Sequence, residues 1–161
     1  MSSKRVSDSA VTLSVLMGPQ DTNGLGNVHG GVIMKLVDEA AALAAMRHAG
    51  HATVTVAIDS MTFLEPIRVG MFVQFKAEVT YVGRTSMETR VEVIAEHPIL
   101  GTSEITNIAY LVFVALDDSG RPTPVPPLEY ETTQQKQRAE QAKSRQEHRK
   151  KQRAIEHSQS S

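Results

Sequence analysis

The feature that most constrains this chain is a twenty-residue segment, residues 31–50, whose apolar side chains recur at helical spacing. They fall at positions 32, 33, 36, 37, 40, 43 and 44, the three- and four-residue intervals of a helix face. Six alanines, which are good helix formers of small cross-section, lie in the same segment. Gly50 ends the pattern, as glycine commonly ends helices. We therefore predict one long helix that is buried on most sides, and the rest of the fold must cover it.

Extended segments flank this helix, and each shows alternating or continuous apolar residues. One precedes the helix at residues 9–17 and ends at Gly18 and Pro19. Four follow it, at residues 53–63, 73–81, 87–95 and 105–116. Glycine and proline separate the four, and strands joined by short connections pair in antiparallel fashion, so we expect consecutive strands to be neighbours. The predicted fold class is α+β, with a long central helix wrapped by an antiparallel sheet.

Composition excludes several classes of function. The chain has no cysteine, which rules out disulfides, thiolate metal sites and cysteine nucleophiles. Its six histidines show no paired HxxxH or HExxH spacing, so we expect no metal site. The formal net charge of −1 gives no case for a nucleic-acid partner. No apolar run has the length of a signal sequence or a membrane span, so we expect no membrane partner and a cytoplasmic protein.

The composition changes near residue 128. We expect a single domain at residues 1–128, and a polar, basic tail at 129–161 that follows the proline-rich segment RPTPVPPL. The tail is predicted to be either a solvated helix or disordered. Between residues 136 and 153 it has eight Lys or Arg against two Glu. That charge suits phosphate groups, RNA or another polyanion, but it is more typical of a solvated terminal helix, which we favour.

The residues best suited to chemistry lie where the glycine-rich loop meets the predicted helix. Unpaired N–H groups at a helix start can stabilise an oxyanion, and glycines at Gly30 and Gly31 let a ligand approach the backbone. Asp38 follows Gly31 by seven residues on the same face, so we expect its carboxylate to lie beside the Gly31 amide. A carboxylate on so apolar a helix suggests a functional role, since burying a charge without a partner is costly. His29 is as well explained by a hydrogen bond that holds the loop as by a role in a site.

The motif HGGxxxxLxD, from His29 to Asp38, resembles that of the hot-dog-fold thioesterases. Three further segments narrow the resemblance: DTNGLGNVHGG, VTVAIDSMTFLEPIRVG and VGRTSMETRVEV. Together they are similar to the acyl-CoA hydrolases that include bacterial broad-specificity enzymes and the animal cytosolic brain-type enzyme. The segment PVPPLEYET and the basic tail extend the similarity over nearly the whole chain.

The resemblance implies an acyl-CoA thioesterase that releases free fatty acid and CoA, with no cofactor other than the CoA of its substrate. It implies that Asp38 is the catalytic carboxylate, that the Gly31 amide binds the oxyanion, and that Asn23 positions water or thioester from the facing subunit. The further substrate-binding residues that it implies are His29, Gly30, Thr55, Val56, Arg84, Thr85 and Ser86. It also implies a dimer with a continuous sheet, and three dimers in a hexamer.

Two questions stay open at this point. Asp38 can act as a general base on water or as a nucleophile through an anhydride, and we favour the base because Asn23 then orients the water. The alternatives to a thioesterase are a non-catalytic sensor of acyl-CoA or nucleotide on the same fold and, less favoured, a dehydratase. The pair of Asn23 and Asp38 argues against a sensor, and the HGG-to-Asp spacing argues against a dehydratase.

Overall fold

A computed structural model describes residues 1–160. Its helices are α1 (Val6–Ser9), α2 (Gly30–Ala49) and α3 (Thr133–Gln159). Its strands are β1 (Lys4–Arg5), β2 (Val11–Leu16), β3 (Ala52–Phe63), β4 (Phe72–Val82), β5 (Ser86–His97), β6 (Thr102–Leu116) and β7 (Leu128–Glu129). No helix within residues 1–160 is both long and apolar enough to cross a membrane.

Helix α2 is the predicted central helix, and it begins one residue earlier than the pattern suggested. It ends at Gly50, which adopts the left-handed conformation with φ 69° that suits glycine. Four alanines, at positions 40, 41, 44 and 45, are completely buried and bring the helix backbone close to the sheet. The long helix is therefore confirmed, whereas its burial on most sides is not, because Met34, Leu43 and Met46 on its other side are exposed in the single chain.

The five main strands form one antiparallel sheet in the order β2-β4-β5-β6-β3. The expectation that all consecutive strands are neighbours is wrong for β3 and β4, which lie apart. Residues 64–71 between them are not a tight turn, because their backbone pairs with other loops: Val28 N–H donates to Ile67 O and Met17 N–H to Met71 O. Strand β3 therefore pairs with β6 at one edge of the sheet, while β4 pairs with β2 near the other.

The two faces of the sheet have different partners. The inner face packs on α2 through buried residues such as Phe75, Val91 and Phe113. The outer face contains charged residues, among them Glu78 and Glu88. The sheet thus wraps one side of the helix, as the predicted fold requires.

The residues predicted as a tail form α3, which lies across the outer face. Thr132 caps its start, since its side chain accepts a hydrogen bond from Gln135 N–H at 3.1 Å. Ala139 and Ala142 are buried, so the helix is not simply solvated. Ion pairs join it to three strands: Arg138–Glu78 on β4, Arg145–Glu88 on β5 and Arg149–Asp59 on β3. The helix therefore runs from β4 towards the edge strand β3, and Ser161 lies outside the described residues.

Candidate active site

Asp38 lies on the side of α2 that faces β3, and it has a partner there that the sequence did not predict. The hydroxyl of Thr55 donates a hydrogen bond of 2.8 Å to Asp38 Oδ1. Thr55 directly precedes a bulge, because Thr55 pairs with Phe113 and Ala57 with Val112, which leaves Val56 as the extra residue. Within residues 1–160, Asp38 Oδ2 has no partner, so the carboxylate is oriented and still has an oxygen free for a ligand or water.

The start of α2 presents free backbone donors. The N–H groups of Gly30 and Gly31 have no carbonyl one turn earlier in the helix, and neither donates elsewhere within residues 1–160. A β-carbon built on Gly31 would meet nothing within 4 Å, so there is open space beside this residue. His29 precedes the helix without capping it by its side chain, which is exposed, while its backbone N–H donates to Asp21 O at 2.8 Å. The helix start can therefore bind an oxyanion, and His29 holds the loop through its backbone.

Asn23 lies in the preceding loop, next to the helix start. Its Oδ1 accepts a hydrogen bond from Leu25 N–H at 3.0 Å, whereas its Nδ2 donates to nothing within residues 1–160. Asn23 and Gly30 line one cavity of about 330 Å³, together with the apolar side chains of Ile33 and Phe63. The structure thus brings two of the predicted site residues to one cavity.

Asn107 lines the same cavity, and the sequence analysis did not single it out. It is completely buried on β6, where its Nδ2 donates to Thr62 O at 3.3 Å and its Oδ1 has no partner. The only signal in the sequence is an amide that interrupts the apolar run of this strand. A buried amide oxygen without a partner is uncommon in a folded protein, which sets Asn107 apart from the apolar residues of this strand.

Gly31 and Asp38 do not lie side by side. They belong to one continuous helix, in which seven residues correspond to a rise of about 10.5 Å. A reacting carbonyl needs its oxyanion donor and its attacking group within about 3 Å each. The expectation that Asp38 lies directly beside the amide of its own Gly31 is therefore wrong, because the two residues are about two helical turns apart.

The last group of predicted residues, Arg84, Thr85 and Ser86, lies at the turn between β4 and β5. This turn is closed by Gly83 N–H, which donates to Ser86 O at 2.9 Å, and it is fixed to neighbouring segments through the carbonyls of Arg84 and Thr85. The side chain of Arg84 is exposed. Ser86 and Val56 line one groove of about 190 Å³ beneath α3. Within the described residues no cluster of three or more metal-ligating side chains is found.

Comparison with known proteins assigns the family. Residues 25–102 match the family model of the thioesterase superfamily. The uncharacterized acyl-CoA thioester hydrolase YkhA of Bacillus subtilis is 38% identical over 148 residues, which cover 88% of this chain and 86% of YkhA. The human cytosolic acyl coenzyme A thioester hydrolase is 38% identical over 143 residues, and this chain spans only 37% of that protein.

Solved structures agree over nearly the whole chain. An acyl-CoA hydrolase from Staphylococcus aureus, in complex with butyryl-CoA, CoA and CoA disulfide, has a TM-score of 0.88 at 39% identity and covers 98% of this chain and 95% of its own. A hexameric acyl-CoA thioesterase has a TM-score of 0.92 at 41% identity, covering 96% and 99%.

Three alanine variants of the Staphylococcus aureus enzyme have also been solved. They replace an asparagine, an aspartate and a threonine, spaced fifteen and seventeen positions apart. Asn23, Asp38 and Thr55 have the same order and spacing here. The hot-dog fold, the oriented carboxylate, the free helix-start amides and these similarities together show that the chain belongs to the thioesterase superfamily and, within it, to the acyl-CoA thioester hydrolases.

Proposed function

We propose that this protein hydrolyses acyl-CoA to a free fatty acid and CoA. The observation that carries the proposal is the Asp38 carboxylate, which Thr55 orients on a helix whose first two amides are free. These are the two parts that thioester hydrolysis needs: a base or nucleophile and a donor for the developing negative charge. The relatives are acyl-CoA hydrolases, and one of them binds butyryl-CoA.

In the proposed reaction, Asp38 acts as a general base. It takes a proton from water while the water oxygen forms a bond to the thioester carbon, and the carbonyl electron pair moves to the oxygen. Gly31 N–H stabilises that oxyanion together with the positive end of the α2 dipole. The tetrahedral intermediate then collapses, the carbon–sulfur bond breaks, and the proton passes from Asp38 to the leaving CoA thiolate. Asn23 Nδ2 holds the attacking water.

The working site forms between two chains. Seven residues of α2, a rise of about 10.5 Å, separate Gly31 from Asp38 of the same chain. Strand β3 supplies the interface. It lies at an edge of the sheet, and Val54, Val56 and Ile58 on it are each more than 40% exposed. An unpaired edge of this length is a liability in a monomer, and pairing two such edges about a two-fold axis gives a continuous sheet. The hexameric relative supports assembly of three such dimers.

The remaining predicted residues contact the rest of the substrate, from the carbonyl to the nucleotide end. His29 and Gly30 border the reacting carbonyl, while the backbone at Thr55 and Val56 borders the pantetheine arm. Arg84, Thr85 and Ser86 receive the nucleotide end, and no cofactor besides this CoA is used. We further propose that residues 1–128 form the catalytic domain and 129–161 an appended element. The cytosolic mammalian relatives support a cytoplasmic location.

The assignment is tested with Asp38→Asn and with Glu39→Gln as the matched control, since Glu39 is the neighbouring exposed carboxylate. With a thiol reagent and butyryl-CoA as substrate, Asp38→Asn is expected to lose at least about a hundredfold in kcat, the scale of general-base catalysis. Glu39→Gln is expected to keep parental activity. Near-normal turnover by folded Asp38→Asn would remove Asp38 from the mechanism, and no turnover by the parent would favour the sensor.

The two-chain site is tested by complementation. Homodimers of Asn23→Ala and of Asp38→Asn are each expected to be nearly inactive. Mixed dimers would contain one site with both defects and one with none, so they should recover about half of the parental activity per dimer. Absence of recovery in dimers verified as mixed would place Asn23 and Asp38 of one chain in the same site.

A further inference from the structure

We propose that α3 supplies part of the binding site for the phosphates of CoA, an inference that rests on the proposed function. The groove of about 190 Å³ beneath this helix has two walls. Residues of the sheet form one wall: Val56, Ser86, Val112 and Val114. Residues of α3 form the other: Gln146, Arg149, Lys150 and Arg153. We call it the α3 groove.

The charge of the α3 groove is one-sided. Three cationic side chains line it, and no acidic side chain does. Arg149 pairs with Asp59, whereas Lys150 and Arg153 form no ion pair or hydrogen bond within residues 1–160. Arg153 lies one helical turn from both Arg149 and Lys150, so these like charges repel one another along the helix. A bound anion would offset that repulsion, which a merely solvated helix leaves in place.

The α3 groove adjoins the turn that the family resemblance assigns to CoA. Ser86 belongs to both. A β-carbon on Gly83, at the start of this turn, would lie 3.7 Å from Gln146 Nε2 on the helix, so turn and helix are in near contact. This proximity of Gly83 to Gln146 does not depend on the charges, and it puts the basic face of α3 next to the turn.

The α3 groove and the carboxylate of the proposed reaction contact neighbouring residues of β3, on its opposite faces. Val56, in its wall, follows Thr55, which holds Asp38. Thr55 directs its side chain to the inner face of β3, whereas the groove lies on the outer face.

The chemistry of the side chains selects phosphate among anions. A guanidinium presents a planar set of donors that matches phosphate oxygens, and an ammonium adds a point charge. CoA has a diphosphate and a ribose phosphate, while the acyl group has no charge to offer. The α3 groove therefore recognises the part of the substrate that all acyl-CoAs share, which makes it an affinity site and not a chain-length site.

The test compares two double variants that each remove two positive charges from the same helix. Lys150→Ala/Arg153→Ala removes the two cationic side chains of the α3 groove that have no ion-pair partner among the described residues. Lys143→Ala/Lys151→Ala removes two exposed lysines that do not line it. Each is assayed with butyryl-CoA and with butyryl-pantetheine, which has the same thioester and no phosphate. Circular dichroism and thermal unfolding confirm that both variants are folded.

For butyryl-CoA we expect the α3 groove variant to show a rise in KM of about tenfold with little change in kcat, as the loss of charge-assisted phosphate contacts predicts. Its kinetics with butyryl-pantetheine should equal those of the parent. The control variant should change KM less than about twofold, since distant exposed charges are largely screened. Raising the salt concentration should weaken the parent more than the α3 groove variant.

Other outcomes would overturn the inference. Equal effects of the two double variants would show only a general charge effect. A loss with butyryl-pantetheine as large as with butyryl-CoA would show a structural role. An unchanged KM with lost binding of added ADP would assign the groove to a free nucleotide. If the parent hydrolyses no acyl-CoA, the proposed function fails, and calorimetric titration with CoA itself then decides separately whether the groove binds these phosphates.

Discussion

Replacing Arg145 by methionine should destabilise the protein, because it isolates a buried carboxylate. Glu88 is only 4% exposed, and Arg145 donates to both of its oxygens, from Nη2 at 2.8 Å and from Nε at 2.9 Å. Within residues 1–160 the remaining side-chain partner would be the hydroxyl of Thr80, which donates to Glu88 Oε1 at 2.8 Å. Breaking a buried pair by removing one member costs about 3–5 kcal/mol. Arg145 itself is 24% exposed, so water can reach the space it vacates, and we expect the lower end, about 3 kcal/mol.

The assay is thermal unfolding at fixed protein concentration, since assembly raises the apparent stability. For a chain of this length about 3 kcal/mol corresponds to a fall in Tm of about 6–12 °C. If α3 detaches without global unfolding, hydrogen exchange of its amides reports the same loss locally. Lys143→Met, on the exposed side of the same helix, is the control and should leave both measurements unchanged.

A double-mutant cycle completes this test. Glu88→Gln combined with Arg145→Met removes the unpaired charge, so the double variant should be more stable than Arg145→Met alone. The reasoning would be refuted by Arg145→Met at parental Tm with parental exchange in α3. It would also be refuted if the two single effects simply added.

Three further predictions concern other parts of the molecule. Thr55→Val should lower kcat about tenfold with little change in KM, because Asp38 loses a charge-assisted hydrogen bond, while Thr55→Ser should retain activity; a change confined to KM would contradict a positioning role. His48 is buried, and burial holds its pKa below the ordinary value although its Nε2 donates to Pro126 O. The unfolded chain therefore binds this proton more readily, so stability should fall as pH drops below about 6.5, and His48→Gln should flatten that dependence in denaturant titrations at pH 7.5 and 5.5. Ile58→Lys, on the exposed edge of β3, should weaken the dimer, seen as a lower mass in sedimentation and as activity lost on dilution; unchanged assembly would place the interface elsewhere.

The sequence was informative where local pattern determines structure. Apolar spacing and alanine content located α2 to within one residue, and alternation located the strands. Strand order was mispredicted at β3, because the backbone partners of residues 64–71 are long-range contacts that no local pattern encodes. The hydrogen bond from Thr55 to Asp38 was missed for the same reason. It joins a strand to a helix, and which β3 side chain faces Asp38 depends on the pairing of β3 with β6, which is irregular at Val56.

For residues 129–161, too, the sequence pattern predicted the local structure but not the tertiary contacts. Its composition indicated a polar helix or disorder. The buried Ala139 and Ala142 and the three ion pairs depend on where the outer face of the sheet places its acidic residues. Residues 78, 88 and 59 lie on three different strands, and their alignment beneath one helix follows only from the sheet order. The α3 groove could not be predicted without that alignment.

The buried alanines of α2 limit how this protein can evolve. A larger side chain at position 40, 41, 44 or 45 would push the whole helix away from the sheet. Because Asp38 and the Gly31 amide belong to that same helix, such a change would displace both the proposed base and the proposed oxyanion donor. Substrate preference can therefore diversify only through residues away from this contact, such as Phe63 and Asn107 around the cavity. We therefore expect relatives with different acyl preferences to differ at the cavity rim more than at the helix face that packs on the sheet.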